Sequence, residues 1–115
     1  MTIHPRDIKG ARGTWYSSAP GIKEKMPIMW RYEYNGKTHF LETSWMQKGV
    51  NENSSKHLNF QIFFKEKLDK KIHIALADPE DKNKHPHVIK NYVGVFIVKV
   101  ISCEPEIKLL FIKQA

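Results

Sequence analysis

The sequence is poor in cysteine, in arginine and in long apolar runs, and each shortage excludes something. Cys103 is the one cysteine among 115 residues. An intrachain disulfide is therefore excluded, and a reducing, cytoplasmic setting is expected. Residues Met1 to Gly13 carry charge but no apolar core of the signal-peptide type, which argues against a secretory leader. The longest apolar run, Tyr92 to Ile101, is too short for a membrane helix and contains Lys99, so no membrane partner is expected. The Gly-x-Ser-x-Gly elbow, the phosphate loop and the dinucleotide fingerprint are all missing. That disfavours nucleotide-dependent enzymes, and no cofactor is expected. No apolar set recurs at a sustained helical spacing, so major helices are not expected either.

What is there is positive charge. Nineteen Lys and Arg residues stand against twelve Asp and Glu, giving a formal charge of +7 and a pI near 9.5. Such a field attracts polyanions, whether nucleic acid or an acidic protein, besides keeping the chain soluble. Only Arg6, Arg12 and Arg31 carry the bidentate guanidinium fork. A lysine set suits nonspecific attraction better than base readout, so a sequence-specific DNA reader is disfavoured.

The strongest local signal is Asn35-Gly36 between Met29–Tyr34 and Lys37–Trp45, because Asn-Gly favours a two-residue hairpin turn. Counting out from that turn, Tyr34 would face Lys37, Tyr32 would face His39 and Trp30 would face Leu41. Trp45 shares their parity. The opposite face, Arg31, Glu33, Thr38, Glu42 and Ser44, reads as the wet side. Further on, Leu58, Phe60, Ile62 and Phe64 alternate with polar residues, and Ile72, Ile74 and Leu76 alternate with Lys71, His73 and Ala75. Paired as a hairpin, these runs would collect Asn59, Gln61, Lys71 and His73 on one polar face. Asp78-Pro79-Glu80 could cap a short helical turn. Val93–Ile101 is apolar on both parities, the mark of a central strand, and Ile107–Ile112 would return beside it.

These readings predict a mainly β, or β-dominated α+β, single domain spanning 1–115. Its form would be a small antiparallel barrel or strongly bent sheet of about six strands, with at most one or two short helices. A helix near Val88–Tyr92 or in the N-terminal arm could cover one opening. Residues 1–27, punctuated by proline and glycine, would be an irregular arm with one short strand around Thr14–Ser17. Parity places Trp30, Leu41, Phe60, Ile62, Ile72, Ile74, Phe96, Val98, Leu109 and Phe111 in the core.

Three constellations carry candidate chemistry. Aromatic strands flanked by cations can stack bases, which nominates Tyr34, Lys37 and His39, although burying large rings is the simpler use of such a face. The polar hairpin face and its lysine-rich end nominate Asn59, Lys65, Lys67, Lys70 and Lys71 for phosphates. In a metal-independent ribonuclease His73, Lys71 and Gln61 would be catalytic, with imidazole moving the proton and lysine steadying the phosphorane. His39, His57, His85 and His87 are candidate second partners, and a solvated strand face is the simpler alternative. His85-Pro86-His87 has the spacing of a metal pair but no second pair, so no metal site is expected. Cys103 lies beside Glu104 and Glu106, whose charge would raise a thiol pKa.

Gly13-Thr14-Trp15-Tyr16-Ser17 resembles the Gly-x-Trp motif that opens the first strand of lipocalins and avidins. The resemblance covers five of 115 residues and implies a barrel around a small hydrophobic ligand. The chain lacks the lipocalins' later strand-end motif, and no resemblance spans the whole sequence.

The expected function is a small non-catalytic module binding a polyanion, most readily RNA or single-stranded nucleic acid. The alternatives are a ribonuclease of bacterial-toxin size and an interaction or inhibitor protein docking an acidic partner. An exposed edge strand could also pair with that of a second copy to give a homodimer.

Overall fold

Pro20-Gly21 turns the chain sharply, with Gly21 at φ +82° and Ala19 paired to Ile22. Glycine takes that left-handed conformation without steric cost. Part of the segment expected to be an irregular arm is thus a hairpin. In the computed structural model, residues 3–10, 15–43, 55–83, 88–104 and 106–115 are described, 55–58 by backbone alone. The strands are β1 (Lys9–Gly10), β2 (Tyr16–Ala19), β3 (Ile22–Trp30), β4 (Tyr34–Asn35), β5 (Phe40–Thr43), β6 (Lys71–Pro79), β7 (Ile89–Ser102) and β8 (Ile107–Gln114). One helix, α1 (Ser55–Glu66), lies between β5 and β6, and 3₁₀ turns occupy Pro5–Asp7 and Arg31–Glu33.

The pairing order is β1-β2-β3-β6-β7-β8-β5-β4. The chain is β-dominated, as its alternating runs imply, but with eight strands rather than about six. The order is open, with β1 and β4 at its ends, so the strands do not close into a barrel. It is also mixed. β3 runs parallel to β6 through Ile28–Ala75, Met29–Leu76 and Trp30–Ala77. As anticipated for a strand apolar on both sides, β7 is interior. Hairpins flank it: Glu80 N–H donates to the Val88 carbonyl on one side, and Ser102 Oγ donates to the Glu106 carbonyl on the other.

The chain divides into two compact units. The first comprises Met1–Tyr32, His73–Phe96 and Gln114–Ala115. Its buried cluster is Ile8, Ala19, Met26, Ala75 and Val95, with Ile22, Ile28 and Tyr92 packed against it. The second comprises Glu33–Ile72 and Ile97–Lys113. It buries Leu41, Phe60, Phe64, Ile72, Val98, Val100, Ile107 and Leu109.

Three local expectations fail for identifiable reasons. Residues 28–30 are taken by the parallel ladder with β6, so the chain turns through Arg31–Glu33 instead of continuing as a hairpin arm. Tyr34 then pairs with Leu41 and Asn35 with Phe40, not Tyr34 with Lys37. The Asn35 side chain explains the longer loop: its Oδ1 accepts from Lys37 N at 2.8 Å and Thr38 N at 3.3 Å. That Asx turn replaces the tight Asn-Gly turn, and His39 rather than Gly36 adopts positive φ, at 63°. The run 58–65 is helix, not strand. Phe60 and Phe64 lie one turn apart and are fully buried, in edge-to-face contact at 5.0 Å. Ile62, on the other side, is 53% exposed. Asp78-Pro79 ends a strand rather than opening a helical turn, and 89–92 belongs to β7 rather than to a helix.

Of the expected core, Trp30, Phe96 and Phe111 are half-buried and Ile62 is exposed, while the other six residues are buried. Trp45 lies outside the described residues.

Phe64→Ala is expected to cost about 3–5 kcal/mol, and Ile62→Ala under about 1 kcal/mol, in urea unfolding. Equal losses would place both side chains in the core, as a strand would, and contradict the helix.

Candidate functional site

In the second unit, burial alternates along three strands, over residues 40–43, 97–101 and 107–110. Leu41 and Thr43 of β5, Ile107 and Leu109 of β8, and Val98 and Val100 of β7 are buried. Leu41 is paired to Leu109 and Thr43 to Ile107. Side chains one residue out of step must therefore project from the opposite face. These are Phe40 and Glu42, Lys108, Leu110 and Ile112, and Ile97, Lys99 and Ile101. They are half-buried, apart from exposed Glu42 and Ile112. Lys108 crosses this face. Its Nζ lies 4.4 Å from the Phe40 ring centroid and 3.5 Å from Glu42 Oε1, a cation–π contact beside a long ion pair.

The lysine-rich segment follows α1 at the start of β6. Lys67 Nζ sits 5.9 Å from the Phe63 ring, while Lys70 and Lys71 are exposed. The turn is tied to β7: Asp69 N–H donates to the Val100 carbonyl and Val100 N–H to the Lys70 carbonyl. Lys65 is not a free cation, because its Nζ is 3.0 Å from Glu104, whose carboxylate raises the ammonium pKa.

Tyr34 and His39 do come together, with the phenol oxygen 3.2 Å from Nδ1. Tyr34 is half-buried against Phe111, ring centroids 4.5 Å apart, whereas Lys37 and His39 are exposed. The aromatic face expected to include Trp30 and Tyr32 is broken by the 3₁₀ turn. Asn59 and Gln61 lie on α1, so they do not share a hairpin face with Lys71 and His73. His85 and His87 fall outside the described residues, and among those described no group of three His, Cys, Asp or Glu could hold a metal.

In the first unit, His73 Nδ1 lies 2.7 Å from Glu24 Oε1. A carboxylate only accepts, so Nδ1 carries the hydrogen and Nε2 points away from the pair. Asp78 accepts two bonds from Arg31, at 2.6 and 3.0 Å, and one from Asn91 at 3.3 Å. Lys25 Nζ approaches the Tyr16 ring at 5.4 Å, and burial raises the Tyr16 phenol pKa.

No family model, no curated protein and no solved structure matches this chain.

One group in the second unit escaped sequence reasoning entirely. Glu33, assigned to the wet side of a hairpin, places Oε1 in the interior without a hydrogen-bond partner among the described residues. Burial pushes its pKa up to about 7, against a hydrogen bond from Thr43 and with help from nearby Glu106. Alternation gave no warning, because the 3₁₀ turn rotates residue 33 inward. The partners of His73 and Asp78, 49 and 47 residues away in the chain, were equally invisible.

Glu33 binds its proton more tightly folded than unfolded, where its ordinary value is 4.5. Its contribution is therefore fully present below about pH 4.5 and is lost as pH rises to about 7. Glu33→Gln should flatten the stability profile across that window. At pH 8 it should be more stable than wild type by about 1–2 kcal/mol, a figure reduced because solvent reaches part of the group. Parallel unfolding profiles for the two proteins would refute this.

Proposed function

We propose that the chain is a small module that binds a polyanion without transforming it, with RNA or single-stranded nucleic acid as the favoured partner. One observation carries this reading. Lys9, Lys23, Lys25, Lys37, Lys70, Lys71, Lys82, Lys90 and Lys113 are exposed, and among the described residues no carboxylate pairs with them. Charge compensated by internal ion pairs would leave little for a ligand. Here much of the +7 is available. Lysine supplies point charges that meet phosphates in many geometries, which suits affinity with little sequence preference.

The His73–Glu24 pair favours a second reading, a metal-independent ribonuclease. Glu24 fixes the tautomer, so Nε2 could take a 2′-hydroxyl proton. Glu24 is taken up in orienting the ring, and beyond it this reading lacks a further proton-transfer group in contact with His73 among the described residues. Gln61, once a candidate for that site, is on α1.

Titrating fluorescent single-stranded RNA across a salt series, with products resolved on a denaturing gel, separates the readings. Binding should weaken steeply as salt rises, with log K falling by about 0.7 per phosphate contacted for each decade of salt, and the RNA should stay intact. Cleavage lost in folded His73→Ala would instead establish the nuclease. No binding at low salt by folded protein would end the nucleic-acid reading and point to an acidic protein partner.

A further inference from the structure

We infer that the open face of β5, β8 and β7 in the second unit is a platform for unpaired bases, with Phe40, Leu110 and Ile97 as its floor and Lys99 and Lys108 as its phosphate contacts. This rests on the polyanion reading and adds to it a surface and a ligand class, single strands rather than duplexes.

The placement follows from the alternation. The core side of these strands is filled by side chains with essentially no exposure, whereas their neighbours on the other face are half-buried and keep part of their surface in solvent. That face combines an aromatic ring and aliphatic side chains with two ammonium groups, and Glu42 is the one carboxylate among its described residues. Apolar area beside net positive charge matches a ligand with flat apolar faces on an anionic backbone, and single-stranded nucleic acid has that form. A duplex hides its base faces and could use only the lysines.

Lys108 links the apolar and the charged parts of this face. Its ammonium covers the Phe40 ring and holds Glu42 at the long distance of 3.5 Å. A phosphate can replace Glu42 as its counterion, drawing Nζ off the ring and opening the ring face to a base. Lys71, exposed on β6 one step out of register with buried Ile72, adds positive charge to the same unit.

The test compares wild type with Phe40→Leu, Phe40→Ala and Lys99→Gln, using an oligouridine single strand, an RNA duplex of equal phosphate number and poly-glutamate. Circular dichroism and thermal unfolding verify that each variant is folded. Wild type should prefer the single strand. Phe40→Ala should weaken it about 5- to 100-fold with the salt slope unchanged, and Phe40→Leu should weaken it less. Lys99→Gln should lower the slope by about one contact. If Phe40→Ala does not fold, Phe40→Leu and Lys99→Gln still decide. Binding of strand and duplex alike, unaffected by folded variants, overturns the platform while leaving the polyanion reading intact. Poly-glutamate binding as tightly as the single strand overturns it in favour of an acidic protein. No RNA binding by wild type removes the polyanion reading and the platform together.

Discussion

The two-residue alternation of β5, β7 and β8 is the constraint from which the rest of the second unit follows. Burying a branched aliphatic side chain contributes roughly 1.5–3 kcal/mol. Leu41, Val98, Val100, Ile107 and Leu109 are all buried at once. A one-residue slip in any of these strands would exchange that set for its neighbours and drive Lys99 or Lys108 inward. The core and the open face are thus a single choice. Phe40 and Lys108 lie where they do because Leu41 and Leu109 lie opposite.

Charge acts on that scaffold in two ways. Among the described residues three Lys and Arg side chains pair with carboxylates: Arg31 with Asp78, Lys65 with Glu104 and Lys108 with Glu42. Exposed pairs of this kind contribute little to stability, so their role is to place cations. The unpaired lysines give the chain its field. Glu33 stands apart, a carboxyl whose burial costs more as it ionises.

Legibility followed locality. Val93–Ile101 read as a central strand because both parities are apolar, and β7 is interior; Ile107–Ile112 read as the returning strand, and β8 spans it. The helix was misread because Phe60, Ile62 and Phe64 satisfy a strand's spacing as well as Phe60 and Phe64 satisfy a helix's. Only the exposure of Ile62 separates the two. Asn35 has two ways to make a turn, and its side-chain oxygen took the one that glycine does not need. The parallel β3–β6 ladder, the Glu24–His73 contact and the inward turn of Glu33 join residues no local pattern connects. Of the candidate binding residues, Tyr34 and His39 meet, and Lys67, Lys70 and Lys71 share a turn and the strand start that follows it. Phe40 and Lys108, which define the open face, carried no signal beyond parity.

The most direct test uses side-chain methyl resonances, because each face of the sheet has its own set. On titration with an oligouridine strand, the account predicts shifts at Ile97, Ile101, Leu110 and Ile112. Val98, Val100, Ile107 and Leu109, on the buried face, should hardly move. Shifts confined to the buried set, or to residues outside the second unit, would contradict it.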